Sequence, residues 1–345
     1  MDNKAIEDLL SQYKIDDNNN ELTVKYFKED VNNYIQFVKQ LEKEILKSSL
    51  NPSNSVQTSL NKATNDIVEK GNRLELAINN KRLIKEIKIL FRKLILPWLG
   101  QSVIMNYALS KPKGYAGDYR ILEYVYDDKV ESKGMGLYYD QGFLMSDLVA
   151  SVRNRKDMMR EILIKEGLKS ESHILNIACG PCREIREIAA PNPKHKLYFT
   201  CLDFDGETLT YAKKLMSNRN NPNIATDFVK EDVFNMLKTG KSNLLLDRNI
   251  IYSIGLIDYL PDRILIKFIS MCFDALKNGG KLILTHKDRG AYNPIREDWL
   301  TDWTFIPRDR DNIYKLIKDI VGPSSTITET RDSTNIILFY EIIKR

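Results

Sequence analysis

The residues best suited to chemistry in this 345-residue chain are small side chains and acids that follow apolar segments. Cys179-Gly180-Pro181-Cys182 follows the apolar run 173–178, and small residues there let a backbone approach a ligand closely before it turns into a helix. Asp203 ends the next apolar run, 23 residues after Gly180, where a carboxylate can accept hydrogen bonds from both hydroxyls of a ribose. This spacing indicates a nucleoside-binding site.

Later segments extend the same pattern. In Asp232-Val233-Phe234 the carboxylate can accept a hydrogen bond from an adenine amine, and the apolar side chains can sandwich the base. The segment 252–260, which includes Ser253 and Gly255, would close the floor beneath a reactive group. His286 ends another apolar run, where it could orient or deprotonate a substrate.

Secondary-structure elements that could position these residues are visible from residue 170 onward, where apolar segments alternate with segments of helical periodicity. This alternation predicts an α/β fold with a doubly wound, mostly parallel sheet. Ligands bind at the carboxyl edge of such a sheet, where the residues above would meet. The predicted strands are 173–178, 197–203, 226–229, 249–253 and 281–286, followed by an antiparallel hairpin of 326–330 and 336–343.

The first hundred residues show only helical periodicity. Apolar residues recur at three- and four-residue spacing over 26–46, and similar runs follow at 56–78 and 83–96. Pro97 and Gly100 predict a break after the third run. We therefore predict an N-terminal helical domain at 1–110, an aromatic and glycine-rich connecting and capping segment at 111–168, and the α/β domain at 169–345.

The run 174–286 resembles the class I S-adenosylmethionine-dependent methyltransferases. The resemblance implies a Rossmann-like doubly wound sheet with a C-terminal antiparallel hairpin, and S-adenosylmethionine as the cofactor. The chain departs from the family pattern at Ala178 and Cys182, which stand at glycine positions of the loop, and at Asn176, where an acid is usual. In the family the residues that match Ala178, Gly180 and Cys182 form the glycine loop, and those that match Asp203 and Asp232 bind ribose and adenine. Together, the residue pattern and the resemblance assign to the cofactor site Ala178, Cys179, Gly180, Asp203, Phe204, Asp232, Val233, Ser253 and Gly255.

A narrower resemblance covers more of the chain and concerns the bacterial group associated with 3-hydroxypalmitic acid methyl ester biosynthesis. It implies methyl transfer to a fatty-acid carboxylate. The similar segments are Lys-Pro-Lys-Gly-Tyr-Ala-Gly-Asp-Tyr at 111–119, Cys-Gly-Pro-Cys-Arg-Glu at 179–184, Leu-Asp-Phe-Asp at 202–205, Tyr-Ser-Ile-Gly-Leu-Ile-Asp-Tyr-Leu at 252–260 and Asp-Trp-Thr-Phe-Ile-Pro-Arg at 302–308.

The acceptor site is expected to draw on these segments. The glycine-flanked loop around Tyr115 is unsuited to a plain core, so we expect it to fold over the cofactor or the substrate. Arg308 could bind a carboxylate through paired hydrogen bonds, although an exposed position is the default for an arginine. Asp258 could contact the substrate or cap a helix at the surface. The residues assigned to substrate binding are Tyr115, Asp118, Tyr119, Tyr259, Trp303 and Arg308.

The chemical class of the acceptor decides whether a catalytic base is needed. A carboxylate is already ionised at neutral pH, whereas an alcohol or amine would need a general base. His286 is the candidate for that base, and the sequence offers no other convincing one. This favours the carboxylate, while another small-molecule hydroxyl or amine remains an alternative.

Other interpretations of these segments stay open. Cys-Gly-Pro-Cys between a strand and a helix is also the thioredoxin pattern, in which the helix lowers the pKa of the first thiol. No metal is expected, because the sequence has no second Cys or His pair at zinc-ligand spacing. An RNA acceptor would need a basic surface, for which the run from Lys81 to Lys93 is the best candidate. A non-catalytic regulator would bind the cofactor without turnover.

Composition narrows the expected setting of the protein. The net charge of +5 is small for this length, and basic and acidic residues are interleaved, which argues against nucleic-acid binding. No apolar run approaches the roughly 20 residues that span a bilayer, and the N-terminus does not read as a signal peptide. With few cysteines, these features predict a cytoplasmic protein. The expected partner is a small-molecule acceptor, with an acyl chain as first candidate, and the oligomeric state is left open.

Overall fold

The structure is a computed structural model that describes residues 8, 11, 17–47, 53–78, 80–188, 193–218, 221–239 and 247–345. The described chain forms two compact units. The first comprises the described residues of Met1–Gly117 together with Asp128–Ser146 and Asn293–Thr304, and the second comprises those of Asp118–Asp127, Asp147–Tyr292 and Phe305–Arg345. The segment predicted at 111–168 therefore contributes to both units.

The elements follow one another in chain order. The helices are α1 Asp17–Lys25, α2 Asn32–Lys47, α3 Asn54–Ala77, α4 Lys81–Leu99, α5 Val103–Ser110, α6 Tyr119–Asp127, α7 Gly134–Leu144, α8 Asp147–Gly167, α9 Arg183–Arg186, α10 Gly206–Ser217, α11 Val233–Thr239, α12 Asp262–Asp274, α13 Ile295–Thr301 and α14 Arg310–Val321. A π-helical segment, Tyr26–Val31, joins α1 to α2. The strands are β1 Ser172–Ile177, β2 Leu197–Asp203, β3 Ile224–Lys230, β4 Arg248–Ser253, β5 Leu276–Lys287, β6 Thr326–Arg331 and β7 Ile337–Ile343.

The first unit is helical and has an aromatic core. Trp299 on α13 is fully buried, and its ring packs edge-on against Tyr26 and Phe91, with centroid separations of 5.7 Å and 5.5 Å. Helix α3 approaches this ring at Gly71, where an added Cβ would lie 2.7 Å from a Trp299 ring carbon. The segment 293–304, which follows β5 in the chain, thus supplies a central side chain to the first unit.

Of the two residues predicted to mark a break, Gly100 ends the helix and Pro97 does not. Helix α4 begins after Asn80, whose side chain accepts hydrogen bonds from the backbone N–H groups of Arg82 and Leu83 at 3.1 Å each. It continues through Pro97 to Leu99 and ends at Gly100. Pro97 lies in the last turn of the helix, so the missing N–H removes one intrahelical bond without preventing the two residues that follow from remaining helical.

The second unit contains one seven-stranded sheet, in the order β3-β2-β1-β4-β5-β7-β6. Strands β1 to β5 are parallel, and β7 pairs antiparallel with both β5 and β6. This confirms the predicted Rossmann-like sheet with its terminal antiparallel hairpin, preceded by a helical N-terminal region. Strand β5 begins at Leu276 rather than at residue 281, and its pairing with β4 shifts register between Arg248 and Ile250.

Helices cover both faces of the sheet. Successive β1 residues Ile174 and Leu175 belong to different hydrophobic clusters because their side chains point to opposite faces. The Leu175 cluster includes Phe268 of α12, and the Ile174 cluster includes Met159 of α8. This burial on both faces explains the nearly continuous apolar runs of the central strands. Among the described helices, none is long and apolar enough to cross a membrane.

Candidate functional site

The carboxyl ends of β3, β2, β1 and β4 lie side by side and form one edge of the sheet. The Cys179 N–H donates to the Leu202 carbonyl at 2.9 Å, and the Glu231 N–H donates to the Asp203 carbonyl at 3.0 Å. The Gly180 N–H donates to Asp203 Oδ2 at 3.0 Å. The structure therefore brings together the predicted glycine loop, the acid after β2 and the start of the segment after β3.

The glycine loop has an unusual backbone conformation. Ala178, Gly180 and Cys182 have φ angles of +54°, +53° and +52°, in the left-handed region that glycine adopts most readily. A side chain in this region costs about 1–2 kcal/mol. Ala178 and Cys182, which stand at glycine positions of the resemblance, thus keep the backbone conformation that glycine favours. A Cβ added to Gly180 would meet only Leu122 Cδ1, at 3.6 Å, so the space beside this residue is open.

Asp203 is buried and has well-defined partners. Its Oδ1 accepts a hydrogen bond from the Asp205 N–H at 3.0 Å, and Asp205 caps α10 by accepting one from the Glu207 N–H at 2.9 Å. Burial raises the pKa of Asp203, and the backbone N–H donors oppose this increase. Each carboxylate oxygen has two lone pairs, so Asp203 keeps the capacity to accept further hydrogen bonds.

The segments after β2 and β3 carry aromatic rings. Phe204 is 51% exposed and Phe234 is 45% exposed, whereas Val233 is buried. Asp232 Oδ1 accepts a hydrogen bond from the Phe234 N–H at 2.8 Å and so fixes the start of α11. Half-exposed rings on neighbouring strand ends provide flat apolar surfaces of the kind on which a nucleic-acid base stacks.

The end of β4 holds an unsatisfied polar group. Ser253 is fully buried, and its Oγ has no hydrogen-bond partner among the described residues. A buried hydroxyl without a partner costs free energy, so such groups usually mark a ligand or water position. Two residues later, a Cβ added to Gly255 would lie 3.1 Å from Arg155 Nη2. Arg155 is a neighbour of the predicted site that the sequence analysis missed.

A buried carboxyl group lies beneath the loop. Glu184 Oε1 accepts hydrogen bonds from the Tyr252 hydroxyl at 2.7 Å and from Asn176 Nδ2 at 3.0 Å. Burial raises the pKa of Glu184 to about 7. Asn176 stands where the resemblance leads us to expect an acid. In the structure, Asn176 donates a hydrogen bond to the carboxyl group of Glu184. The motif 179–184 contains Glu184, but no spacing rule linked it to Asn176.

The cysteines of the loop do not have the environment of a thioredoxin site. Cys179, Cys182 and Cys201 are buried free thiols. Burial raises the pKa of Cys179 well above its ordinary value, whereas a redox-active thiol needs a lowered pKa and access to its partner. Within the described part of the chain, no group of three or more His, Cys, Asp or Glu side chains could hold a metal ion.

His286 and Asp258 lie in a buried charged cluster. His286 Nδ1 lies 2.7 Å from Asp258 Oδ1, and Lys287 Nζ lies 2.5 Å from Asp258 Oδ2. Burial would raise the pKa of Asp258, but Lys287 and His286 outweigh it and hold this pKa below its usual range. The alternative of a surface helix cap for Asp258 is wrong, because its side chain is buried and bonded to the end of β5.

Arg308 is also buried, contrary to the exposed position expected by default. Its Nε donates to Asp262 Oδ1 at 2.8 Å, and its Nη1 donates to the Ile257 carbonyl at 3.2 Å. Its Nη2 also donates to the Leu260 carbonyl. The guanidinium was predicted to bind a substrate carboxylate. It instead donates these hydrogen bonds to the turn between β4 and α12 and holds that turn in place.

Helix α6 lies against the glycine loop. Besides the proximity of Leu122 to Gly180, Glu123 Oε2 accepts a hydrogen bond from Arg183 at 3.0 Å. The Tyr119 hydroxyl donates to Glu207 Oε1 at 2.8 Å, across the start of α10. Asp118, predicted to bind substrate, accepts hydrogen bonds from the backbone N–H groups of the first turn of α6. It is therefore the residue that starts this helix.

The remaining predicted substrate residues fall in different units. Tyr259 is 36% exposed in the second unit, and its ring lies 5.5 Å from that of Phe305. Tyr115 and the buried Trp303 belong to the first unit. The basic run considered for RNA binding is partly neutralised within that unit, because Lys88 Nζ pairs with Glu75 at 2.7 Å and with Asp298 at 2.6 Å.

The strand order and the arrangement of loop and acids at its carboxyl edge define a Rossmann-like fold of the methyltransferase type. The model of a protein family described as "putative methyltransferase" matches residues 58–290, and the chain belongs to this family. No curated protein sequence matches the chain.

The chain is similar to several solved structures at low sequence identity. A possible exported protein from Bordetella parapertussis is 14% identical, with a TM-score of 0.52 over 92% of this chain and 96% of its own. Magnesium protoporphyrin IX methyltransferase from Synechocystis PCC 6803, with bound SAH, is 12% identical, with a TM-score of 0.45 over 70% of this chain and 99% of its own. An S-adenosylmethionine-dependent methyltransferase from Clostridium acetobutylicum ATCC 824 is 14% identical, with a TM-score of 0.40 over 56% of this chain and 91% of its own.

Proposed function

We propose that the second unit binds S-adenosylmethionine at the carboxyl edge of β1 to β4 and transfers its methyl group to a small-molecule acceptor. Membership of the methyltransferase family and the strand order support this proposal. The observation that carries it is the contact of Gly180 N–H with Asp203 Oδ2 at 3.0 Å, made by a loop with three left-handed residues. This contact places an open backbone surface beside a buried acid that can accept further hydrogen bonds.

The residues at this edge fit the proposed cofactor. Asp203 would accept hydrogen bonds from the ribose hydroxyls, and Asp232 would accept one from the adenine amine. The rings of Phe204 and Phe234 would stack on the base, and the unsatisfied Ser253 hydroxyl would gain a partner. The remaining predicted residues, Ala178, Cys179, Gly180, Val233 and Gly255, would line the site. When bound, the cofactor supplies an electrophilic methyl group on a sulfonium.

The acceptor that we propose is a carboxylate, with a long-chain fatty acid such as 3-hydroxypalmitic acid as first candidate. The five segments similar to the 3-hydroxypalmitic acid methyl ester group support this choice. A carboxylate oxygen would form the new bond to the methyl carbon while the carbon–sulfur bond breaks and leaves its electron pair on sulfur. The negative and positive charges cancel, and no proton moves.

For such a reaction, the main tasks of the protein are to align the acceptor with the methyl group and to exclude water. Good positioning of two reactants can lower a barrier by roughly 7–11 kcal/mol. A carboxylate does not need a general base, and the nearly complete burial of His286 fits a structural role in that case. A hydroxyl or amine acceptor remains the alternative that would require His286 as a base.

Methyl transfer from labelled S-adenosylmethionine to a panel of free fatty acids, including 3-hydroxy acids, tests the proposal. The matched control is the methyl ester of each acid, which has no free carboxylate to methylate. We expect base-labile label in the acids and none in the esters. Cofactor binding without ester would refute the carboxylate acceptor and leave other acceptors or a regulator. Absence of cofactor binding would refute the proposed function itself.

A further inference from the structure

Arg155 on helix α8 is a buried cation that has no carboxylate partner in the described part of the chain. The residue is only 6% exposed, and no acidic group among the described residues lies within ion-pair distance of its side chain. Its Nε atom is buried and has no hydrogen-bond acceptor. A buried charge is costly unless it is paired, so an arginine in this state indicates a partner that the described residues do not supply.

Neighbouring polar residues of α8 show the contrast. Lys156 Nζ pairs with Glu187 Oε2 at 2.5 Å and with Asp157 Oδ1 at 2.9 Å. Asn154 Nδ2 donates to Asp332 Oδ2 at 2.8 Å. Arg155 stands between these two residues, and it occupies the apolar stripe of the helix formed by Leu148, Val152, Met159 and Leu163.

The guanidinium faces the end of β4, at the candidate cofactor site. Its Nη2, Cζ and Nη1 atoms would lie 3.1, 3.5 and 3.7 Å from a Cβ added to Gly255. A side chain at this position would press against the guanidinium, so glycine allows the planar end of Arg155 to lie close to the loop after Ser253. Burial raises the pKa of the nearby Tyr126 to about 12, and Arg155 opposes that increase through its charge and through a hydrogen bond between the two side chains.

The carboxylates that act on Tyr126 and Lys287, the neighbours of Arg155, already have other partners. Glu184 is bonded to Tyr252 and Asn176, and Glu123 pairs with Arg183. Asp258 is shared between His286 and Lys287. Burial lowers the pKa of Lys287 and the nearby charge of Arg155 lowers it further, while Asp258 opposes both effects. Asp258 is already paired with Lys287, which leaves uncompensated the charge of Arg155. An anionic ligand would neutralise it.

We infer that Arg155 binds a ligand carboxylate at the edge of the sheet, through the planar fork that its guanidinium presents beside Gly255. The inference rests on the proposed function and deepens it, because both proposed ligands carry a carboxylate. One is the methionyl carboxylate of the cofactor, and the other is the carboxylate of the acceptor. Paired N–H donors in a fixed fork match the two oxygens of either group.

Binding measurements on Arg155→Met, with Arg160→Met as control, distinguish these sources. Arg160 lies on the same helix, is 26% exposed in its side chain and pairs with Asp157, so its substitution removes the same charge from a solvated position. Calorimetry would compare SAH with its decarboxylated analogue, and hexadecanoate with hexadecanamide. Each pair differs at the carboxylate that Arg155 would bind.

Arg155→Met should weaken binding of one carboxylate ligand by on the order of 30-fold or more, and leave its uncharged counterpart unchanged. A loss for SAH identifies the cofactor carboxylate, and a loss for hexadecanoate identifies the acceptor. Arg155→Lys keeps the charge without the fork and should lie between, and it serves as the test if Arg155→Met does not fold. Equal binding by wild type and both Arg155 variants would overturn the inference but leave the proposed function standing. Failure of the wild type to bind SAH would overturn the proposed function instead.

Discussion

Glu184→Gln should change how the stability of the protein depends on pH. Burial raises the pKa of Glu184 to about 7 from an ordinary value of 4.5. Its Oε1 accepts hydrogen bonds from Tyr252 and Asn176, and the amide oxygen of glutamine can accept both. The substitution therefore preserves these contacts and removes the titration.

The size of the effect follows from proton linkage. Between pH 4.5 and about 7 the folded protein keeps a proton that the unfolded chain has released, so raising the pH through this window lowers the free energy of unfolding. At about 1.4 kcal/mol for each tenfold change, the total is about 3 kcal/mol. The stabilising contribution is complete below pH 4.5 and is lost by the time the pH has passed about 7. As the pH rises through this window, the free energy of unfolding of wild type should fall by this amount relative to that of Glu184→Gln.

Urea unfolding of both proteins at about pH 5 and about pH 8 measures this difference. Glu187→Gln is the control: burial would raise the pKa of Glu187, but Lys156 and Arg183 outweigh it and lower the pKa. The stabilising contribution of Glu187 is therefore lost only as the pH falls below the ordinary pKa of a glutamate. The difference in free energy of unfolding between Glu187→Gln and wild type should stay constant between pH 5 and 8. An equally constant difference for Glu184→Gln would refute the reasoning about its burial.

Further substitutions test the loop, the buried cluster and the first unit. Gly180→Ala and Gly279→Ala both place a side chain at positive φ, and each should lower the free energy of unfolding by about 1 kcal/mol. Only Gly180→Ala should also weaken cofactor binding in calorimetry. Equal cofactor binding by the two variants would contradict the place of Gly180 in the cofactor site. Lys287→Met leaves Asp258 buried with its cation removed and should cost about 3–5 kcal/mol in denaturant unfolding, most of it restored by adding Asp258→Asn. A cost below about 1 kcal/mol would show that the ion pair is not essential. Trp299→Ala should cost about 3–5 kcal/mol in the same assay, and a near-neutral result would contradict its central packing.

The sheet was predictable because its determinants are local. Apolar runs of strand length alternate with helical periodicity from β1 to β5, and the acids and small residues follow the strands directly. Parallel strands bring such positions to one edge whatever the details of packing. The contact of Gly180 with Asp203 therefore follows from the spacing, although its geometry does not.

Other features depend on contacts between distant parts of the chain. The segment 293–304 has too few apolar residues to signal a core helix, yet Trp299 packs among Tyr26 and Phe91, more than 200 positions earlier. Residue type alone does not reveal that Arg308 and His286 are both buried.

Arg155 shows that a local signal can also be overlooked. It stands at three- and four-residue spacing from Val152 and Met159, in the middle of an apolar stripe. A charged residue on such a stripe predicts either a buried partner or a ligand. The pattern identifies the unusual position, and only the structure shows that it faces Gly255.

Calorimetric titration of S-adenosylmethionine into wild type, Asp203→Asn and Asp227→Asn tests the central claim most directly. Asp203 is the buried acid beside Gly180, whereas Asp227 is an exposed acid on β3, so the two substitutions make the same chemical change at different places. We predict binding by wild type and Asp227→Asn, and binding at least about tenfold weaker by Asp203→Asn, because a charge-assisted hydrogen bond to the ribose contributes about 1.5–3 kcal/mol. Equal binding by all three proteins, or no binding by wild type, would contradict the assignment of the cofactor site.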